Sequence, residues 1–155
     1  MRIGADQVWS AYNNTGRGMV VASIDTGVSY DHPALVRQYR GNQGDGTFGH
    51  AFNWLDATNK CSGSVPCDDV GHGTHTMGTM VGADGAGNTT GVAPGAKWIA
   101  CKACSRTGCL LSALTACAQW ILAPGGDPSM RPCYAAGNKL KAATRALILR
   151  SSAEK

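Results

Sequence analysis

The carboxylate of Asp25 follows a short apolar run and is itself followed by Thr26 and Gly27, in the stretch VVASIDTGVS (20–29). A carboxylate in this setting suits two kinds of chemistry. It can activate water together with a second, paired carboxylate, or it can orient the imidazole of a histidine that acts as a general base. The first kind needs a second Asp-Thr-Gly loop. The sequence contains one such loop, so a dimer of two chains would have to supply the other.

A histidine between two glycines, His72, opens the stretch HGTHTMGTMVG (72–82). Its neighbours Gly71 and Gly73 allow a substrate backbone to approach the imidazole. A neutral imidazole accepts a hydroxyl proton near neutral pH and returns it, while a buried carboxylate holds its other ring nitrogen in the required tautomer. We therefore predict that Asp25 and His72 come together, with about 2.6–3.2 Å between a carboxylate oxygen and a ring nitrogen.

The elements that must position these two residues are read from periodicity. Short β-branched or alternating runs predict three strands, over Met19–Ile24, Ala51–Leu55 and residues 97–103. The small-residue segment His72–Gly82 predicts a helix that begins at the candidate base, and Gly78 and Gly82 are expected at close packing contacts.

A second helix is predicted over Leu110–Leu122. Its apolar residues recur at helical spacing and form one stripe: Leu110, Leu114, Cys117 and Ile121. Strands that alternate with helical stretches imply a parallel sheet with crossover helices.

Three segments carry a resemblance to a known family: VVASIDTGVSYDHPAL, DDVGHGTHTMGTMVG and GVAPGAKWIACKA. In this order they resemble the first half of the catalytic domain of subtilisin-like serine proteases, the bacillopeptidase F type in particular, over roughly residues 3–132. The resemblance implies an α/β fold, with a parallel sheet between two layers of helices, of which this chain holds the N-terminal half. It implies Asp25 and His72 as acid and base of an Asp-His-Ser triad at the carboxyl ends of strands. It also implies polypeptide substrates and an extracellular enzyme.

The nucleophile that the resemblance implies is a serine in a Gly-Thr-Ser-Met-Ala-type motif, and the sequence has no such motif. The serines after His72 have other contexts: Ser105, Ser112, Ser129, Ser151 and Ser152. The segment AAGN (135–138) is similar to an oxyanion-hole motif but follows GVAP (91–94) too closely. We therefore expect part of a serine endopeptidase that is inactive alone. A catalytically dead binding or vestigial module and, more remotely, an aspartic protease dimer stay open.

The character of the sequence changes after Pro132. Residues 131–155 contain six basic residues and one acidic residue, whereas residues 1–130 contain eight basic and nine acidic residues. We predict a partial peptidase domain over residues 1–132 and a divergent basic tail, in helical form, over residues 133–155. Aromatic residues are not interleaved with the basic charge, so nucleic-acid binding is not predicted.

Seven cysteines are many for a cytosolic protein of 155 residues and indicate an oxidising compartment. The first twelve residues lack the apolar core of a signal peptide, and no apolar run is long enough to span a membrane. One interpretation that reconciles these observations is that Met1 is not the natural start and that export segments once lay upstream.

Disulfides are favoured over a metal site for these cysteines. Cys101 and Cys104 have zinc-knuckle spacing, but side chains three apart on a strand point to opposite faces. The pairings that sequence distance makes plausible are Cys61 with Cys67, Cys101 with Cys117, and Cys104 with Cys109. Cys133 is left over, and the odd total requires at least one thiol that is free or paired between molecules.

No cofactor is predicted with certainty. His72 and His75 are three residues apart, but the general base of a zinc protease motif is missing, so His75 is expected to be a hydrogen-bonded packing residue. The resemblance allows a calcium site, for which the candidate ligands are Asp31, Asp45, Asp68 and Asp69. Turn and cap roles are the simpler interpretation of these carboxylates.

Overall fold

The structure is a computed structural model and describes residues 3–127. Its elements, in chain order, are α1 (Ala5–Tyr12), β1 (Val20–Asp25), β2 (Trp54–Asp56), α2 (His72–Val81), β3 (Lys97–Lys102), β4 (Cys104–Ser105), β5 (Gly108–Cys109) and α3 (Leu111–Leu122), followed by one 3-10 turn at Pro124–Gly126.

Three parallel strands form the sheet, in the order β1-β3-β2, so that the last of them lies between the first two. In this register Asp25 of β1 is the partner of Lys102 on β3, and Trp54 of β2 is the partner of Ala100. Parallel strands end at the same edge of the sheet, where α/β proteins build their sites. Asp25 lies at this edge.

Helices cover both faces of the sheet. The side chains of β3 alternate between these two faces and so contribute to both buried clusters. On one face Trp98 belongs to a buried cluster with Met77 and Val81 of α2. On the other face Cys101 belongs to a cluster with Cys117 of α3. The α/β fold predicted from the sequence is therefore confirmed for the described residues.

Trp98 anchors the larger cluster. Its ring is fully buried, its Nε1 donates a hydrogen bond of 2.9 Å to the carbonyl of Leu35, and its ring centroid lies 4.5 Å from that of Tyr39. Burying a side chain of this size contributes at least about 1.5–3 kcal/mol. The central strand is consequently held firmly against the α2 side.

The predicted strands correspond to β1, β2 and β3, and their boundaries agree to within one residue except at the start of β2. β2 begins at Trp54 and not at Ala51, because residues 51–53 form a turn in which Phe52 has a φ of 63°. Helix α1 was not predicted. None of its residues is buried.

The stripe predicted for α3 is wrong at its first position. Leu110 is the N-cap, with an extended backbone, and its side chain is 65% exposed. The residues that α3 buries are Ala113, Cys117 and Ile121. An extended residue does not continue the helical spacing, and this takes Leu110 off the buried stripe.

The three pairings that sequence distance makes plausible are all present: Cys61–Cys67, Cys101–Cys117 and Cys104–Cys109. The second ties β3 to α3, and the third closes the β4–β5 hairpin. Cys133 and the predicted tail helix lie outside the described residues. Within residues 3–127, the helices are too short or too polar for any of them to cross a bilayer.

Candidate active site

Asp25 ends β1 and is buried, with 7% of its surface exposed. Its Oδ1 accepts a hydrogen bond of 2.7 Å from the backbone N–H of Thr26. Its Oδ2 accepts one of 3.2 Å from the hydroxyl of Thr76. The carboxylate is thus fixed by its own strand end and by the first turns of α2.

His72 is the first residue of α2, and its Nδ1 lies 2.7 Å from Oδ1 of Asp25. The distance falls within the predicted range. An ionised carboxylate only accepts, so Nδ1 donates and Nε2 is the acceptor nitrogen of the neutral ring. The side chain of His72 is 58% exposed against 8% for that of Asp25. Nε2 has no hydrogen-bond partner among residues 3–127, and this nitrogen is therefore available to a reacting group.

One detail of the predicted placement is wrong. Asp25 lies at the carboxyl end of a strand as expected, but His72 follows the long loop between β2 and α2 and not a strand end. The loop must therefore carry its own means of positioning α2.

Two glycines permit the close approach of α2 to the end of β1. A Cβ on Gly73 would overlap the carbonyl oxygen of Gly27, and it would lie 3.1 Å from Cβ of Asp25. Gly27 itself has a φ of 106°, and a Cβ there would overlap the carbonyl oxygen of Cys67. Side chains at either position would push Asp25 and His72 apart.

The expectation for the other helix glycines is half right. A Cβ on Gly82 would lie 2.5 Å from the carbonyl oxygen of Gly78 and 2.6 Å from the hydroxyl oxygen of Thr90, so Gly82 is at a close contact. A Cβ on Gly78 would meet no described atom within 4 Å. Packing among residues 3–127 therefore does not require a glycine at position 78.

Asp68 has the cap role that its sequence context favours over that of a calcium ligand, and this role positions α2. Its carboxylate accepts hydrogen bonds of 2.8 Å from the backbone N–H groups of Gly71 and Thr74, at the start of α2. It also accepts from the hydroxyls of Thr74 at 2.6 Å and Thr26 at 2.8 Å. Burial alone would raise the pKa of Asp68, but these hydrogen bonds hold it below its ordinary value. One carboxylate thus caps α2 and ties it to the residue after Asp25.

A signal for this cap was present in the sequence. Asp68 comes three residues before Gly71 and six before Thr74, and an Asp shortly before a helix start is a usual capping residue. The hydroxyl of Thr26 completes the connection, because it accepts a hydrogen bond of 2.9 Å from the N–H of Gly73.

Lys102 is a residue with a role that the sequence interpretation missed. It is completely buried, and its Nζ lies 2.5 Å from the carbonyl oxygen of Thr26 and 2.5 Å from Oδ1 of Asp69. The hydrogen bond from Lys102 holds the pKa of Asp69 below its ordinary value. The alternation of β3 gave a signal, since Lys102 shares the inward parity of Trp98.

The candidate metal ligands are not brought together. Residues 3–127 contain no group of three or more His, Cys, Asp or Glu side chains that could hold a metal ion. Asp68 and Asp69 are engaged as described, and Asp45 accepts hydrogen bonds from the N–H and hydroxyl of Thr47 in a turn. These carboxylates do not fit a shared calcium site.

His75 is exposed, so its predicted packing role is wrong.

Comparison with known proteins shows the family of the chain. The sequence model of the subtilase family matches residues 16–143. The chain belongs to the subtilase family. The match includes both Asp25 and His72.

Relatives of this subtilase include three proteases of Bacillus subtilis. It is 46% identical to bacillopeptidase F of Bacillus subtilis (strain 168) over 126 residues, which are 79% of this chain and 9% of that protein. It is 36% identical to minor extracellular protease Vpr of the same strain, over 63% of this chain and 11% of the relative. It is 35% identical to serine protease AprX of that strain, over 61% of this chain and 18% of the relative. This subtilase chain therefore spans less than a fifth of the length of each of these relatives.

Proposed function

We propose that Asp25 and His72 are the acid and the general base of a subtilisin-like serine endopeptidase that acts on polypeptides. The observation that carries the proposal is the 2.7 Å contact between a buried carboxylate and an exposed imidazole. Membership of the subtilase family supports the same assignment.

The chemistry follows from the two environments. Nε2 of His72 takes the proton of a serine hydroxyl while the serine oxygen bonds to the scissile carbonyl carbon. The same proton then passes to the leaving amine as the C–N bond breaks, and a water molecule repeats the sequence to release the acid. Asp25 keeps the Nδ1 proton in place and stabilises the imidazolium that forms between these steps.

The serine itself is proposed to come from outside these 155 residues. Of the described serines beyond His72, Ser105 bonds through its hydroxyl to that of Thr107 at 3.0 Å, and Ser112 is exposed on α3. Neither is hydrogen-bonded to His72 among residues 3–127. The chain is accordingly proposed to supply two of three catalytic side chains.

An extracellular location is part of the proposal. Three disulfides within residues 3–127 require an oxidising compartment to form and persist. The name of the relative minor extracellular protease Vpr agrees with this location.

The test is a chimera in which residues 1–127 are continued by the segment that follows the matched region in bacillopeptidase F. The chimera is expected to cleave casein and to react with a serine-directed fluorophosphonate. His72→Ala and Asp25→Asn are each expected to lower kcat at least a hundredfold, within the rate contribution typical of a general base (about 10²–10⁴-fold).

His75→Ala is the matched control, because His75 lies one turn further along α2 and is exposed. It should retain the activity of the parent chimera. Full activity in the His72→Ala chimera would contradict the proposal. A folded chimera without any activity would favour a binding module, and inhibition by an aspartic-protease inhibitor alone would favour paired carboxylates.

A further inference from the structure

A completely buried lysine lies beside the proposed catalytic pair. Lys102 occupies the last position of β3, directly opposite Asp25 in the parallel register. Taking an ammonium group out of water is costly unless the charge is paired and hydrogen-bonded. A lysine at this place therefore calls for a specific role.

The partners of Lys102 belong to two different segments. One is the carbonyl oxygen of Thr26, the residue directly after Asp25; the other is the carboxylate of Asp69. Asp69 in turn follows Asp68, whose carboxylate caps α2. Nζ of Lys102 thus links the end of β1 to the loop that carries α2 and His72.

The backbone reinforces this placement. The N–H of Ala103 donates a hydrogen bond of 2.9 Å to the carbonyl oxygen of Asp25. Lys102 is consequently fixed to β1 through its neighbour's backbone, and only its side chain reaches across to the loop. A guanidinium group of Arg106 holds the other side of that loop, through a 2.8 Å hydrogen bond to the carbonyl of Asp69.

We propose that Lys102 is a positioning residue for the Asp25–His72 pair: its ammonium group sets the distance between the strand end that carries Asp25 and the loop that carries His72. The role rests on the proposed function where it concerns catalysis. The geometric link between Lys102 and the pair does not depend on it.

Stability alone does not account for this residue. A methionine fills much the same volume, and apolar replacements of buried ionic groups are often neutral or stabilising. The carboxylate of Asp69 is 45% exposed and is hydrated once the lysine is gone, so Lys102→Met leaves no buried unpaired charge. The fold of this variant is expected to persist.

The direct test uses the full 155-residue chain labelled with ¹⁵N. The Nδ1 proton of His72, held against Asp25, is expected to give a downfield resonance in the parent chain that disappears in Asp25→Asn. In Lys102→Met this resonance is expected to disappear, because the proton exchanges with water, or to shift upfield. The circular dichroism spectrum and the three disulfides should remain as in the parent.

Lys97→Met is the matched control. Lys97 begins the same strand, but its side chain is exposed, and within residues 3–127 its Nζ donates a hydrogen bond of 2.8 Å to the carbonyl of Arg37, away from the catalytic pair. Its variant should keep the resonance unchanged. Asp69→Asn retains shape but weakens the ion pair, and it is expected to give a smaller shift in the same direction as Lys102→Met.

The chimera gives the kinetic test. Misplacing catalytic groups by about 1 Å can cost about a hundredfold, so Lys102→Met is expected to lower kcat by about 10–100-fold with little change in KM. Parent-like kcat and an unshifted resonance in a folded Lys102→Met protein would overturn the proposal. If that variant does not fold, an unshifted resonance in Asp69→Asn overturns it. Full activity of the Asp25→Asn chimera would refute the proposed function, yet the resonance would still decide the role of Lys102.

Discussion

Asp25 and His72 lie on different elements, and single atoms decide how close they come. The absence of a Cβ on Gly73 lets α2 lie against the end of β1, because that Cβ would overlap the carbonyl oxygen of Gly27. A glycine that looks like a poor helix former is therefore required by the contact that it makes.

Gly73→Ala is expected to destabilise the chain by roughly 1–3 kcal/mol, as overpacking of a close contact does. Gly78→Ala, on the same helix with open space at its Cβ, is expected to stabilise it by up to about 1 kcal/mol, because alanine is the better helix former. Chemical denaturation of the two variants and the parent measures the difference. Equal destabilisation by both substitutions would contradict the assignment of the close contact to Gly73.

At this scale the sequence reveals some residues and hides others. Asp25 and His72 are recognisable because each lies in a short motif whose chemistry is local. Asp68 is recognisable as a cap because it lies shortly before a helix start, whereas the role of Lys102 depends on which distant groups the fold brings to it. Lys102 reads as a solvated lysine until its strand is known to be the central one.

The start of helix α2 depends on one side chain. Asp68 accepts hydrogen bonds from the N–H groups of Gly71 and Thr74, where a carboxylate also interacts favourably with the helix dipole. Its pKa is held below the ordinary value, so its stabilising effect is complete above about pH 3.9, the value of the unfolded chain, and is lost as the pH falls through the lower folded pKa.

Asp68→Asn keeps the shape and removes the charge. At pH 7 it is expected to cost about 1–2 kcal/mol, the difference between charged and neutral hydrogen bonds. The cost should shrink towards zero in acid, where the parent chain is protonated as well. Urea unfolding measured between pH 7 and the acid limb gives the profile, and Asp31→Asn, an exposed carboxylate, is the control. A cost independent of pH would show that the charge of Asp68 has no role.

The disulfides fasten elements to different extents. Cys101–Cys117 ties β3 to α3 across a longer loop than Cys61–Cys67 closes. In the chain-entropy model, double alanine variants are expected to cost about 3 kcal/mol for the first pair and about 2 kcal/mol for the second. Thermal unfolding gives the ranking, after non-reducing peptide mapping of the parent has verified the pairs. A free thiol at any of these four cysteines in the parent would count against the pairing.

Elements with a regular pattern were predicted well, and those without one were not. β1, β3 and α2 were found because their apolar or small residues recur with the period of the element. The start of β2 and the N-cap Leu110 were misplaced because backbone conformation at a boundary, such as the positive φ of Phe52, is not visible in the pattern of apolar residues. Helix α1, which buries no residue, was not predicted.

For the molecule as a whole, the 155-residue chain alone is expected not to hydrolyse peptides. Asp25 and His72 have no serine hydroxyl to activate among the described residues. The measurement is the cleavage of casein and of a mixed peptide library by the purified, oxidised chain, beside its His72→Ala variant. Cleavage by the parent that disappears in the variant would mean that a downstream serine serves as the nucleophile.

The position of β3 between its two neighbours leads us to expect that the sheet forms late. Within the described sheet β1 and β2 form strand hydrogen bonds only with β3. Val20 of β1 therefore cannot pair until Lys97 of β3 is present. During synthesis both outer strands leave the ribosome before the strand that joins them exists. Pairings of such large sequence separation form in milliseconds to seconds, in contrast to the microseconds of helical bundles. We therefore expect the proposed catalytic pair to be among the last features of this region to form, because the strand that carries Asp25 gains its sheet partner only then.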